Sequence, residues 1–272
     1  MKFFIYLSFF TLLFSCASIK NPRALKESEL DGLKFESLAR YGSERLSKLP
    51  KSKETIALCR KTEYNKAIEI LRSKLDENLR NYQYWNEIST CYILKKEYTQ
   101  ARKFLDIAMS TTNQNSQKSV LLNNMGVIYL ENSNYFEAKE HFKKAIELNN
   151  KLLSPKFNLS QVYMKFGLYG KAKKEVGILL KQNSQDVDFL NAWAYINLME
   201  NDYKEALLYF NKIPSQYRSR DDIATNMAMT YFMLGLYDSA KTSLNNADKK
   251  DSLYSNSQNE IEKRIEKVTE KR

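Results

Sequence analysis

A short pattern, Tyr-x-x-Ala, recurs six times in this chain, at Tyr64/Ala67, Tyr98/Ala101, Tyr135/Ala138, Tyr169/Ala172, Tyr203/Ala206 and Tyr237/Ala240. The intervals are 34, 37, 34, 34 and 34 residues. Chance placement of these residue types would give roughly one such pair. A unit of this length accommodates two short antiparallel helices and their turns. The chain must therefore stack six similar hairpins, none of which can bury its apolar face alone. Composition agrees where it matters. With 7 Gly and 4 Pro in 272 residues, turn-rich all-β architectures are excluded, and 43% apolar residues suffice for a core.

Other positions keep the same frame. Gly or a polar residue stands two before each Tyr, most clearly Gly167 and Gly235. A second Tyr lies upstream in four units, as Tyr92, Tyr129, Tyr163 and Tyr231. A large apolar residue follows each Ala by four, namely Leu71, Leu105, Phe142, Val176, Phe210 and Leu244, and Ala108, Ala145 and Ala247 follow it by seven. The frame's Ala lets the second helix of a hairpin approach the first, while Tyr and the large residues fill the space between hairpins. With Trp85 and Met125-Gly126 at their own repeat positions, residues 48–254 resemble the tetratricopeptide repeat. The resemblance implies an all-α fold, a right-handed α-solenoid of about six hairpins, with repeats near 48–81, 82–115, 119–152, 153–186, 187–220 and 221–254.

Departures from the frame are informative. The single 37-residue interval puts three extra residues in the polar stretch Ser110–Gln117, which reads as a lengthened loop. Pro50, Pro155 and Pro214 fall at expected helix edges. The first repeat is degenerate, with Lys51 and Lys74 at two of its key positions, as suits a terminal unit. Residues 255–272 read as a charged capping helix with Ile261, Ile265 and Val268 on one face.

The N-terminus reads as an address. Met1-Lys2 precedes an apolar run from Phe3 to Phe14, too short to span a bilayer but suited to a signal peptide. Leu13-Phe14-Ser15-Cys16 resembles the lipobox of bacterial lipoproteins, although Phe14 is bulky for its position. That family implies a signal peptide over 1–15, acylation of Cys16, a tether over 16–47 with a possible leading helix, and, with Ala17 next, an outer-membrane, periplasm-facing location. Cleavage at Ser15-Cys16-Ala17 to release a secreted protein, or a buried core segment, are the competing readings.

In the tetratricopeptide family the inner face is lined mainly by first-helix side chains at positions 2, 5, 6, 9, 12 and 13. The sixth position here is Asn124, Asn158, Ala192 and Asn226, and amides there commonly hold a peptide backbone in that family. Around them the same mapping places Asn123, Val127, Phe157, Gln161, Met164, Asn191, Tyr195, Met229 and Phe232, giving a groove of amides, soft Met and rigid aromatics. The alternative is that the amides are generic to the repeat and that several apolar members belong to the core. The carboxylate-clamping set of chaperone-binding members is incomplete.

Catalytic chemistry finds no support. His141 is the single histidine and stands without a Cys or acidic cluster, so neither a metal site nor a His-based relay is expected. No phosphate-cradling Gly loop and no acid/base pair stands out. The net charge of +11 is spread without long basic runs, which argues against nucleic acid. Cys59 and Cys91 fall in first helices of adjacent repeats. Packed helix axes lie about 8–10 Å apart, so buried thiols are expected rather than a bridge, although an oxidising compartment would permit one. The resulting expectation is a lipid-anchored scaffold that needs no cofactor or small-molecule substrate and binds a protein or peptide segment of an envelope complex. It is similar in layout to tetratricopeptide lipoproteins that pilot the type IV pilus secretin, assist barrel assembly or adapt peptidoglycan enzymes.

Overall fold

A computed structural model of the 272-residue chain describes residues 54–249 and 252–270. The signal segment, Cys16, the tether and Pro50 lie outside them. The described residues form an all-α solenoid of paired helices. The pairs are α1 (Glu54–Arg60) with α2 (Tyr64–Ser73), followed by the single turn α3 (Leu75–Asn78); α4 (Tyr82–Leu94) with α5 (Tyr98–Ser110); and α6 (Asn115–Glu131) with α7 (Tyr135–Leu148). Then come α8 (Ser154–Lys165) with α9 (Tyr169–Gln182), α10 (Val187–Met199) with α11 (Tyr203–Lys212), α12 (Asp221–Met233) with α13 (Tyr237–Asn245), and a final helix α14 (Ser252–Thr269).

Every hairpin turns by the same backbone device. The residue two before each frame Tyr has positive φ: Thr62, Lys96, Ser133, Gly167, Asn201 and Gly235. The following N–H reaches back five residues to the first helix, from Glu63 to Leu58, Glu97 to Tyr92, Asn134 to Tyr129, Leu168 to Tyr163, Asp202 to Asn197 and Leu236 to Tyr231. This left-handed C-cap satisfies a carbonyl that the ending helix would leave unpaired. The upstream Tyr of the sequence frame thus sits where the cap takes its acceptor.

The frame's Ala is fully buried in all six hairpins, and the large residue four later is buried with it. Opposite this pair the first helix carries a small residue: Ser89, Gly126, Ser160, Ala194 and Ala228 all stand at the same repeat position. Gly126 shows why. A Cβ built there would lie 2.6 Å from the ring of Phe142. Tyr hydroxyls then join successive hairpins, Tyr64 donating to the carbonyl of Leu94 at 3.0 Å and Tyr98 to Glu131 at 3.1 Å.

Two expectations are corrected. Cys59 and Cys91 form a disulfide, with Cα atoms 5.3 Å apart. The axis separation was the wrong measure, because both residues face the contact and stand inside it. The polar insertion is not a long loop. The chain resumes helix at Asn115, so α6 reaches 17 residues against 13 in α4 and α10. The extra residues become an added turn at its start. At the far end, α14 lays Ile261 and Ile265 against Ala228, Ala240 and Leu244, and Gln258 donates to Thr225 at 3.0 Å.

Candidate functional site

Position six of the repeat does not present its amides to the groove in the middle of the array. Asn124 donates to Asn86 at 2.8 Å, Asn123 to Asn124 at 3.0 Å, and Asn158 to Asn123 at 2.8 Å. These four side chains are fully buried, in a ladder that runs through α4, α6 and α8. Val127 is buried in the core that runs through the first four hairpins. Asn123, Asn124, Val127 and Asn158 are therefore corrected from groove residues to interior ones, since neighbouring helices already consume their surface and hydrogen bonds. Met229 and Phe232 are half-buried against the core beneath α14.

The other six groove residues converge. Phe157, Gln161 and Met164 from α8, Asn191 and Tyr195 from α10, and Asn226 from α12 line one cleft of about 160 Å³. Lys165, Ala192 and Tyr254 complete its wall. Small-molecule sites occupy roughly 300–1,000 Å³, so this cleft has the size for one side chain of a larger partner.

Its floor is ionic and was not nominated from sequence. Arg220, in the turn before α12, donates to Asp188 at 2.9 Å and to both oxygens of Asp222 at 3.2 and 2.9 Å. Asn191 donates to Asp222 at 2.8 Å, and Asn226 to Asn191 at 3.3 Å. Burial works against the charge on Arg220, but Asp188 and Asp222 outweigh it and hold its pKa above the usual value. Asp188 and Asp222 occupy the second position of consecutive repeats, and Asp186 caps α10 by accepting from the N–H of Asp188 and Phe189. An acidic residue repeated at an inner-face position, with Arg220 just before the second, was the available signal.

His141 is half-buried, its ring 4.8 Å from that of Tyr129 and its Nδ1 donating to the Glu137 carbonyl. Among the described residues no cluster of three His, Cys, Asp or Glu could hold a metal ion. Nor is any helix there long and apolar enough to cross a membrane.

Comparison with known proteins places this geometry. Residues 97–261 match the family model of the coatomer epsilon subunit. The BBSome complex member BBS4 of Bos taurus is 24% identical over 185 residues, which cover 67% of this chain and 34% of that protein. The chain thus spans about a third of that relative's length. Among solved structures, the APC/C hetero-tetramer Cut9–Hcn1 superposes with TM-score 0.65 at 16% identity, over 78% of this chain and 42% of that one. PilW, described as a widely conserved type IV pilus biogenesis factor, superposes with TM-score 0.61 at 18% identity, over 78% of this chain and 96% of its own. At these identities the structural likeness is one of fold.

Proposed function

The chain belongs to the family of the coatomer epsilon subunit, a tetratricopeptide-like family, and on that premise we propose that it is a membrane-anchored scaffold holding a segment of a partner protein in the cleft between α8, α10 and α12. The observation that carries this reading is the cleft itself. Six residues chosen for the inner face from repeat position alone meet there around one cavity. Met164 and Tyr195 offer apolar contact area in front of the buried Phe157, and amides and an ionic floor offer orientation. Fold alone does not fix function, so the weight rests on the site.

The membrane part of the proposal rests on the N-terminal motif ending in Cys16. The Cys59–Cys91 disulfide supports export independently, because such bonds persist in oxidising compartments. A bacterial envelope location facing the periplasm accommodates both. Within this reading, type IV pilus biogenesis is one role to test, because PilW shares this fold over 96% of its own length. Two experiments test the proposal. Labelling with a fatty-acid analogue should mark the wild-type chain and not Cys16→Ala; equal labelling of the two removes the anchor. A crosslinked pull-down of the anchored protein should recover a partner that Met164→Ala and Tyr195→Ala recover several-fold less. Undiminished recovery removes the cleft.

A further inference from the structure

The turn between α8 and α9 reads Lys165-Phe166-Gly167-Leu168-Tyr169-Gly170-Lys171, and it holds apolar side chains outside the core. Phe166 is 50% exposed and Leu168 41%. Phe136, the second residue of α7, is 63% exposed on the same edge of the solenoid. Tyr135 joins the two hairpins there, its ring 5.9 Å from that of Phe166. A Cβ added at Gly167 or Gly170 would meet no atom within 4 Å, so the fold leaves the tip uncovered. Leu168 holds the N-cap position of α9, where Glu63, Glu97, Asn134 and Asp202 stand in four of the other turns. A polar acceptor suits a helix start, and Leu supplies none. Exposed apolar residues grouped in this way mark a contact surface.

Charge indicates what covers it. Residues 154–182 carry six lysines against one carboxylate, Glu175. The neighbouring hairpins are balanced or acidic, with four lysines against four carboxylates in residues 115–148 and two against four in residues 187–212. Lys156 is buried on the Asn150 carbonyl, and Lys173 is paired with Glu200. Lys165, Lys171 and Lys174 are exposed beside the turn. On α7, Lys139 lies over the Phe136 ring at 4.4 Å and pairs with Glu140. Glu137 is the one exposed carboxylate within two residues of the three apolar positions. A protein partner would need an acidic rim fitted around an apolar pocket. An anionic bilayer has this layering at every point, with phosphates outside and an acyl boundary beneath. Long lysine stems keep their ammonium groups at headgroup level while neighbouring apolar side chains go deeper.

We propose that the α8–α9 turn, with Phe136 beside it, is a contact site for an anionic phospholipid surface. Phe136, Phe166 and Leu168 enter the boundary between headgroups and acyl chains, and Lys165, Lys171 and Lys174 meet lipid phosphates. This rests on the membrane reading above and adds a second contact that fixes which edge of the solenoid faces the bilayer. Residues 17–53 join the array to Cys16 and can span no more than about 130 Å. An anchored chain therefore holds the turn at high local concentration near the membrane, where a weak surface suffices.

The test places the full chain in vesicles of phosphatidylcholine, alone or with about one third phosphatidylglycerol. A fluorophore is attached at Gly170→Cys, or at Ser184→Cys between α9 and α10 on the opposite edge; Cys59 and Cys91 are closed in their disulfide. Nitroxide-labelled lipid should quench position 170 several-fold more than position 184 in anionic vesicles, and several-fold more there than in neutral ones. Lys171→Gln with Lys174→Gln, both at exposed positions, should keep the helical circular dichroism and cut the quenching at position 170 several-fold. Equal quenching at the two positions, equal quenching in the two vesicles, or undiminished quenching in the double variant would each overturn the inference. So would a double variant that loses a crosslinked acidic protein while position 170 stays unquenched, which would assign the patch to that protein. Quenching at position 170 in a chain without fatty acid on Cys16 removes the anchor and upholds the surface. No quenching in a chain that carries the fatty acid removes the surface and leaves the anchor.

Discussion

At single positions the repeat is governed by space. Gly126 sits within α6, where Gly costs roughly 1 kcal/mol of helix propensity relative to Ala. It is nevertheless required, because the fully buried Phe142 ring stands where a Cβ would go. Gly126→Ala should therefore lower stability by about 1–3 kcal/mol despite better propensity, and Phe142→Leu in the same chain should recover part of the loss. Denaturant titration of the two variants checks it; a stabilised Gly126→Ala would contradict the packing account. Tyr98 makes a pH-dependent contribution. Burial first, and the Glu131 carboxylate second, push its phenol pKa up, while an unfolded Tyr ionises near pH 10. Its contribution is therefore complete below about pH 10 and declines above it, as unfolding releases a proton that the fold retains. Alkaline unfolding should begin above pH 10, and Tyr98→Phe should make the decline shallower.

At the scale of elements, the first hairpin is the weak one. Helix α2 breaks at Lys74, and only the single turn α3 follows it. The disulfide joins α1 to α4 across a sequence separation of 32, a loop whose closure is worth about 3–4 kcal/mol in the chain-entropy picture. Reduction, or Cys59→Ala with Cys91→Ala, should expose α1 and α2 to hydrogen exchange while leaving α8 to α13 protected. Uniform loss of protection would show the array to be a single cooperative unit. The errors of sequence reading lie at this scale too. The spacing of first helices was legible, but which side of α1 faces α4 was not, so an axis distance stood in for a side-chain distance. The polar insertion lacked an apolar pattern and looked like loop, although polar residues also extend a helix whose later turns are anchored by packing.

At the scale of the molecule, the solenoid was legible because its signature is repetition, and repeated Tyr, Ala and large apolar residues are those that pack. The site was legible in part, for the opposite reason. Repeat position places a residue on the inner face without saying whether a neighbour has already used it. Asn124 and Asn158 hold the expected position, but Asn123 and Asn86 stand within reach and close a buried ladder. In the last three hairpins Ala192 breaks that succession, and the cleft opens around it. The Arg220 floor escaped because it depends on a turn residue meeting carboxylates from two repeats. The central claim is that a partner segment occupies this cleft, and site-specific photocrosslinking measures it most directly. A photoreactive residue replacing Tyr195 should capture the partner from intact cells, whereas the same group at the exposed position of Lys144 on α7 should not. Equal capture at both positions, or capture at Lys144 alone, would contradict the account.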